Sequence, residues 1–177
     1  SGLARGIDGG AHEGALPHTI GVIASGIDIA YPPQHADLQE RIASEGLLLA
    51  EQSPGAEPKA RHFPHRNRII AGLSCATVVV EAAPKSGSLI TARLAGDYGR
   101  DVLAVPGSPL DPRAEGGNLL IQQGARLITS AADIIEVVSS ADPARHALFE
   151  PEWQPDEGGG DQIAPAPDDQ GKLLQAL

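Results

Sequence analysis

Short apolar runs alternate with amphipathic stretches along residues 19–139 of this chain, and the alternation indicates the secondary structure. The runs TIGVIA, LLLAE and TVVVEA have the length and the aliphatic composition of buried strands. We predict strands at 19–24, 47–51, 77–82, 101–105 and 126–129, and helices at 34–45, 66–74, 88–98, 118–123 and 131–138. Strands that alternate with helices in this way predict an α/β fold with a mainly parallel sheet and helices on both faces.

The composition changes near the end of the last predicted helix. Residues 1–139 carry the apolar periodicity, so we expect them to form the folded domain. Residues 140–170 are rich in Pro, Gly and acids, which is typical of a linker, whereas 171–177 (GKLLQAL) turn apolar again. The chain begins with Ser and contains no Met, so we expect it to be a piece of a longer protein.

The bulk composition excludes several classes of protein. The single Cys75 rules out an internal disulfide framework and a cysteine-based zinc site, and the six histidines show no metal-ligand spacing. We therefore expect no metal and no cofactor. No apolar run approaches 18 residues, so we expect no membrane span and a cytoplasmic location. The formal charge is −10, of which the segment from residue 140 onward contributes −6. The body is thus only mildly acidic and can carry a local basic site.

A basic segment stands out against this acidic background, in the sequence KARHFPHRNRIIAGLS at 59–74. The residue before a proline disfavours helix, so Phe63 and Pro64 predict an extended approach to a helix that begins near His65. Arg66, Asn67 and Arg68 would then occupy the first helical turn. Cations are electrostatically unfavourable at a helix N-terminus. A bound anion would offset this cost, so the arginines at this position indicate an anion-binding site.

Other interpretations of this segment stay open. The arginines could instead pair with Glu51 or Glu57 on the surface. Phe63 could serve as a stacking platform for a base, or it could anchor the loop into the core. Lys59 and Arg61 add two further cations ahead of the predicted helix.

Two glycine-bearing segments should reach the same edge of the sheet, because ligands of open parallel sheets bind outside the carboxyl ends of the strands. In SGLARGID (1–8) and KSGSLITA (85–92), small residues and free helical N–H groups suit an anion, and a cation accompanies each. Asp8 is expected to be a capping or first-turn acid of the helix that carries His12. The candidate anion-binding residues of these two segments are Ser1, Gly2, Arg5, Gly6, Lys85, Ser86, Gly87 and Ser88.

Five ordered blocks of sequence resemble the bacterial DNA-processing protein A family, called DprA or Smf. They are SGLARGID, FPHRNRIIAGLS, EAAPKSGSLITARLA, VPGSPLDPRAEGGNLLIQQGA and TSAADIIEVV, and together they span about residues 1–139. The resemblance implies an extended Rossmann-like, three-layer fold that binds single-stranded DNA and forms a homodimer. It also implies that the protein protects incoming strands during natural transformation and loads the RecA recombinase on them.

The resemblance also implies roles for particular segments. In the family the anion pocket is formed by the segments that match Arg5, Arg66–Asn67–Arg68 and Lys85–Ser86–Gly87–Ser88, and a base ahead of the FPxRNR motif contacts DNA. Lys59 and Arg61 are the two candidates for that base. A strand, a Gly-Ser-Arg turn and a small helical domain usually precede the segment that corresponds to Ser1. A winged-helix-like domain would begin near Gly171, so 171–177 would be its first turn.

Two other classes of function remain as alternatives. Nucleoside-monophosphate phosphoribohydrolases share a related fold and a glycine-rich turn at the same edge, but KSGSLITA lacks the glutamate of their PGGxGTxxE motif. We therefore expect a DNA-binding protein without catalysis, with a nucleotide-binding Rossmann enzyme as the alternative. A third possibility is a protein-interaction scaffold that uses the acidic tail, although such a tail is more simply a solvated linker.

Overall fold

The computed structural model describes residues 1–140, which form alternating helices and parallel strands. The helices are α1 (Ile7–Ala15), α2 (Ala36–Glu45), α3 (His62–Leu73), α4 (Gly87–Asp97), α5 (Glu115–Gln122) and α6 (Ala131–Ser140), with a short 3-10 turn at Pro33–His35. The strands are β1 (Ile20–Gly26), β2 (Leu47–Gln52), β3 (Ala76–Val79), β4 (Asp101–Ala104) and β5 (Arg126–Leu127). The predicted order of elements is confirmed. The predictions for 141–177 lie outside the described residues.

All strand pairs that the structure describes are parallel, as predicted, but they form two hydrogen-bonded groups rather than one sheet. β1 pairs with β2, and separately β3 pairs with β4 and β4 with β5. Ser1 lies alongside β1. The amino group of Ser1 donates to the Ile20 carbonyl at 3.0 Å, and the Val22 N–H donates to the Ser1 carbonyl at 2.9 Å. These two bonds are the pattern of one residue in a parallel ladder.

The core is aliphatic, as the low aromatic content predicts. One cluster packs Leu3, Ile23, Leu38 and Ile42 between the N-terminal turn, β1 and α2. Two more clusters lie around β3 and β4, made of Val79, Ala82 and Ala92 and of Leu103, Ile128 and Val137. Burial of such side chains contributes about 1.5–3 kcal/mol each, so these clusters supply most of the driving force for folding. They hold the strand ends, and therefore the loops beyond them, in place.

The start of α3 differs from the prediction. The helix begins at His62 rather than near His65, so Phe63 and Pro64 are helical and the predicted extended approach is wrong. A proline fits the first turn of a helix because the N–H groups there have no carbonyl acceptor within the helix, so its missing N–H costs no helical hydrogen bond. As a result, Arg66, Asn67 and Arg68 lie in the second turn and not in the first, and the argument from cations at a helix start does not hold.

Candidate nucleic-acid interface

A cavity of about 410 Å³ opens where three separate segments of the chain meet. One wall runs along β3, and the remaining walls come from the N-terminal turn, α3 and the start of α4. Eight of the predicted site residues line it, namely Ser1, Gly2, Phe63, Arg66, Asn67, Ser86, Gly87 and Ser88. The other six, Arg5, Gly6, Lys59, Arg61, Arg68 and Lys85, do not line this cavity. The structure therefore brings together residues up to 87 positions apart in the chain.

The N-terminal turn is held in an unusual backbone conformation. Leu3 has φ 57° and Gly6 has φ 86°, both in the left-handed region. This region is costly for a leucine, but the Leu3 side chain is fully buried in the core, which holds the backbone there. The Asp8 carboxylate accepts hydrogen bonds from Gly2 N–H at 3.1 Å and Ala4 N–H at 3.2 Å. Asp8 is thus the first-turn acid that the sequence predicts, and it also fixes the turn in front of α1.

Arg66 is a buried clamp between this turn and β1. Its side chain is largely buried, and its guanidinium donates to the Gly2 carbonyl at 2.9 Å and to the Val22 carbonyl. A Cβ on Gly2 would lie 2.6 Å from the guanidinium, so a glycine is needed for this close approach. Burial lowers the pKa of Arg66 from its usual value, and the negative charge of Asp8 partly opposes that effect. Most of the Arg66 hydrogen-bonding capacity is therefore used within the protein.

Asn67 connects Arg66 to the start of α4. Its side chain accepts a hydrogen bond from Arg66 Nε at 3.2 Å and donates to the Gly87 carbonyl at 3.3 Å. Gly87 is the first residue of α4, and Ser86 caps this helix by accepting from Ser88 N–H at 3.2 Å. The predicted capping role of Ser86 is confirmed. Arg66 and Asn67 together connect the N-terminal turn, β1 and the start of α4, so they set the shape of the cavity.

Arg68 points away from this cavity, although only one residue separates it from Arg66. Its guanidinium pairs with the Glu51 carboxylate, which also contacts His65 Nδ1 at 2.9 Å. This is the surface pairing with Glu51 that the sequence left open. Neighbouring positions on a helix point in different directions, which explains why only one of the two arginines is buried.

Four cations that stand close in the chain to lining residues of the cavity have no acidic partner among residues 1–140. Arg5, Lys59, Arg61 and Lys85 are exposed, and no ion pair involves them in this part of the chain. Lys85 stands directly before the N-terminus of α4, where a helix favours negative charge. Arg5 lies in the turn that Arg66 clamps. Each of the four cations lies within four positions in the chain of a residue that lines the cavity.

Tyr31 is a residue of this region that the sequence reasoning missed. Its ring centroid lies 5.5 Å from that of Phe63, and the two ring planes are tilted by 57°. The guanidinium carbon of Arg66 lies 5.9 Å from the centroid of the Phe63 ring. Tyr31 and Phe63 are 32 residues apart in the chain, so no local pattern links them. The only sequence signal for Tyr31 is the Tyr-Pro pair that follows β1.

The described residues offer no alternative metal chemistry or membrane segment. Within 1–140, no group of three or more His, Cys, Asp or Glu side chains could hold a metal ion. No helix in that part of the chain is long and apolar enough to cross a membrane. The cavity combines the buried Arg66 guanidinium, the capped start of α4 and the Phe63 ring on a parallel α/β scaffold. The parallel α/β scaffold defines the class, a Rossmann-like α/β protein.

Comparison with known proteins assigns the chain to a family. Residues 1–139 match the model of DNA recombination-mediator protein A, and the chain therefore belongs to this family. The DNA processing protein DprA of Bacillus subtilis is 51% identical over 139 residues, which cover 77% of this chain and 47% of that protein. The Streptococcus pneumoniae DprA is 50% identical over 138 residues, covering 76% and 49%.

Solved structures agree with this assignment. The X-ray structure of DprA from Streptococcus pneumoniae superposes with a TM-score of 0.74 at 49% identity, covering 76% of this chain and 49% of that one. DNA processing protein A from Helicobacter pylori, whose structure gives insight into a single-stranded DNA binding mode, superposes with a TM-score of 0.71 at 34% identity, covering 78% and 64%. The Rossmann-like α/β fold expected from the sequence is confirmed. The chain spans about half the length of the curated relatives it matches.

Proposed function

We propose that residues 1–140 bind single-stranded DNA at this cavity without catalysing a reaction. The observation that carries the proposal is a cavity lined by the buried Arg66 and the capped start of α4, with four cations close in the chain to its lining residues that form no ion pair within residues 1–140, namely Arg5, Lys59, Arg61 and Lys85. Cations that pair with no acid are available to phosphate, and a strand of DNA supplies phosphates at regular spacing. The single-stranded DNA binding mode of the Helicobacter pylori relative supports this choice of ligand.

The fourteen residues named from the sequence then take different roles in this proposal. Arg5, Lys59, Arg61 and Lys85 supply charge to the DNA backbone. Ser86, Gly87 and Ser88 offer hydroxyl and N–H groups at the start of α4, while Phe63 offers an aromatic face. Ser1, Gly2, Gly6, Arg66 and Asn67 shape the turn and the cavity wall. Arg68 contributes to the outer surface, where it can exchange Glu51 for a phosphate.

The wider role that we propose follows the family. The protein would work as a homodimer in the cytoplasm, protect incoming single strands during natural transformation, and load the RecA recombinase on them. The family membership supports this role. No cofactor enters the proposal, because binding by charge and stacking needs none.

Fluorescence anisotropy of a labelled dT oligomer tests the proposal, with a duplex of equal length measured in parallel at several salt concentrations. We expect tighter binding to the single strand and an affinity that falls as salt rises, because phosphate contacts release counterions. The double variant Arg5→Ala/Lys85→Ala should reduce the slope of log K against log salt by about 1.4, which corresponds to two lost contacts on a single strand.

The matched control removes the same charge elsewhere. Arg41 and Arg126 are exposed and pair with Glu45 and Glu136 away from the cavity, so Arg41→Ala/Arg126→Ala should leave the slope unchanged. An equal loss in both double variants would mean that only net charge matters. If the wild-type chain fails to bind the oligomer but releases the base from AMP, the nucleotide-processing enzyme becomes the better description.

A further inference from the structure

We propose that Tyr31 stacks on a base of the bound single strand, an inference that rests on the proposed function and adds a residue to it. Tyr31 is 42% exposed although it touches Phe63, which lines the cavity. Phe63 itself is half-buried, with Arg66 over its ring and Tyr31 against it. Of the two rings, Tyr31 therefore presents the larger accessible surface.

The segment that carries Tyr31 is attached to the same turn that forms the cavity. The 3-10 turn Pro33–His35 follows Tyr31 directly, and His35 Nδ1 lies 3.0 Å from the Leu3 carbonyl. Leu3 is fully buried, so this contact ties the position of the Tyr31 loop to the fixed N-terminal turn. The Tyr31 loop is thus attached to the turn that also carries Arg5, and single-strand binding combines such an aromatic ring with phosphate contacts.

The tilt of the two rings leaves a face available to a base. Tyr31 and Phe63 meet at an angle of 57° with centroids 5.5 Å apart, so they do not stack on each other as parallel plates. A tilted pair is a favourable aromatic contact and leaves the outer face of the exposed ring uncovered. The Tyr31 hydroxyl has no hydrogen-bond partner among residues 1–140, so the ring stays in place by packing alone. Bases of any sequence can stack on such a face.

Binding of two labelled oligomers of equal length tests this inference, one of dT and one in which every position is abasic. Tyr31→Leu keeps an apolar side chain against Phe63 and removes the aromatic face. We expect it to weaken binding of the dT oligomer about 5- to 150-fold and to leave binding of the abasic oligomer unchanged. Tyr31→Phe should bind both oligomers like the wild type, because stacking needs the ring and not the hydroxyl.

Tyr98 provides the matched control, since it is 46% exposed at the C-terminal end of α4, away from the cavity. Tyr98→Leu should bind both oligomers normally. The inference is overturned if Tyr31→Leu binds dT as tightly as the wild type. It is also overturned if Tyr31→Leu weakens dT and abasic binding equally, since the ring would then position the loop rather than contact a base. Failure of the wild type to bind either oligomer would instead refute the proposed function itself.

Discussion

Arg66 and Arg68 offer a direct comparison of a buried and an exposed arginine on one helix. Arg66 is 7% exposed and donates to the carbonyls of Gly2 and Val22. Arg68 pairs only with Glu51, and the two side chains are 43% and 33% exposed. Replacement of each by alanine removes the same charge and has the same effect on helix propensity. Any difference between the two variants therefore reports the surroundings of the guanidinium.

The expected magnitudes are well separated. Hydrogen bonds that involve a charged group contribute about 1.5–3 kcal/mol each, so two of them give about 3–6 kcal/mol for Arg66. The desolvation of the buried cation is recovered in the variant, which reduces the net loss on Arg66→Ala to about 2–4 kcal/mol. An exposed ion pair contributes about 0.2–1 kcal/mol, which sets the expected loss on Arg68→Ala. A loss of 1 kcal/mol lowers the Tm of a domain of this size by about 4 °C. The Tm should therefore fall by about 8–16 °C in Arg66→Ala and by less than about 4 °C in Arg68→Ala.

Urea denaturation followed by circular dichroism measures both variants on the 177-residue chain. Arg66→Lys is a useful third variant, because an ammonium keeps the charge but lacks the planar fork that reaches two carbonyls, so an intermediate loss is expected. If Arg66→Ala and Arg68→Ala differ by less than about 1 kcal/mol, the clamp does not hold the turn. The Arg66 guanidinium would then be free to contact DNA phosphate directly.

Two further predictions concern the same turn and the helix behind it. Asp8→Ala should lower the free energy of unfolding by about 1–3 kcal/mol, because the N–H groups of Gly2 and Ala4 lose their acceptor. Asp8→Asn should lower it less, because the amide oxygen still accepts a hydrogen bond. Urea denaturation of the two variants checks this prediction, and equal losses would contradict it. His12 is 1% exposed, and burial lowers its pKa to about 4. Neutral His12 therefore stabilises the fold above pH 6.5, and this contribution is lost as the pH falls from 6.5 towards 4, by about 1.4 kcal/mol at pH 5.5 and about 3 kcal/mol in total. Urea denaturation at pH 7.5, 5.5 and 4.5 should show this additional loss in the wild type and not in His12→Gln, and parallel pH dependence in the two proteins would refute it.

The regular parts of this domain follow from sequence because their signals are local. Apolar runs and amphipathic periodicity depend on neighbours a few residues away, so the order of strands and helices was predictable. The Ser86 cap was predictable for the same reason, since a serine before a helix can satisfy an N–H within the same turn. The scarcity of aromatics likewise determined an aliphatic core, whose members are leucine, isoleucine, valine and alanine.

The start of α3 shows where local rules compete. The residue before a proline disfavours helix, yet a proline is well suited to the first helical turn. Phe63 and Pro64 satisfy the second rule, because Phe63 packs against Tyr31 and Arg66 when the helix begins at His62. The local preferences of Phe63-Pro64 for an extended and for a helical conformation are of similar strength, and contacts with distant residues favour the helical one.

The roles of the two arginines and of Tyr31 were decided by tertiary structure alone. A helix turns by about 100° per residue, so Arg66 and Arg68 had to point in different directions, but nothing local states which of them meets Gly2 and which meets Glu51. Tyr31 and Phe63 became neighbours only because β1 and the start of α3 pack together. The sequence by itself determined which residues can bind an anion, whereas packing between distant segments decided which of them remain free to do so, because a side chain that is paired or buried inside the fold is no longer available to a ligand.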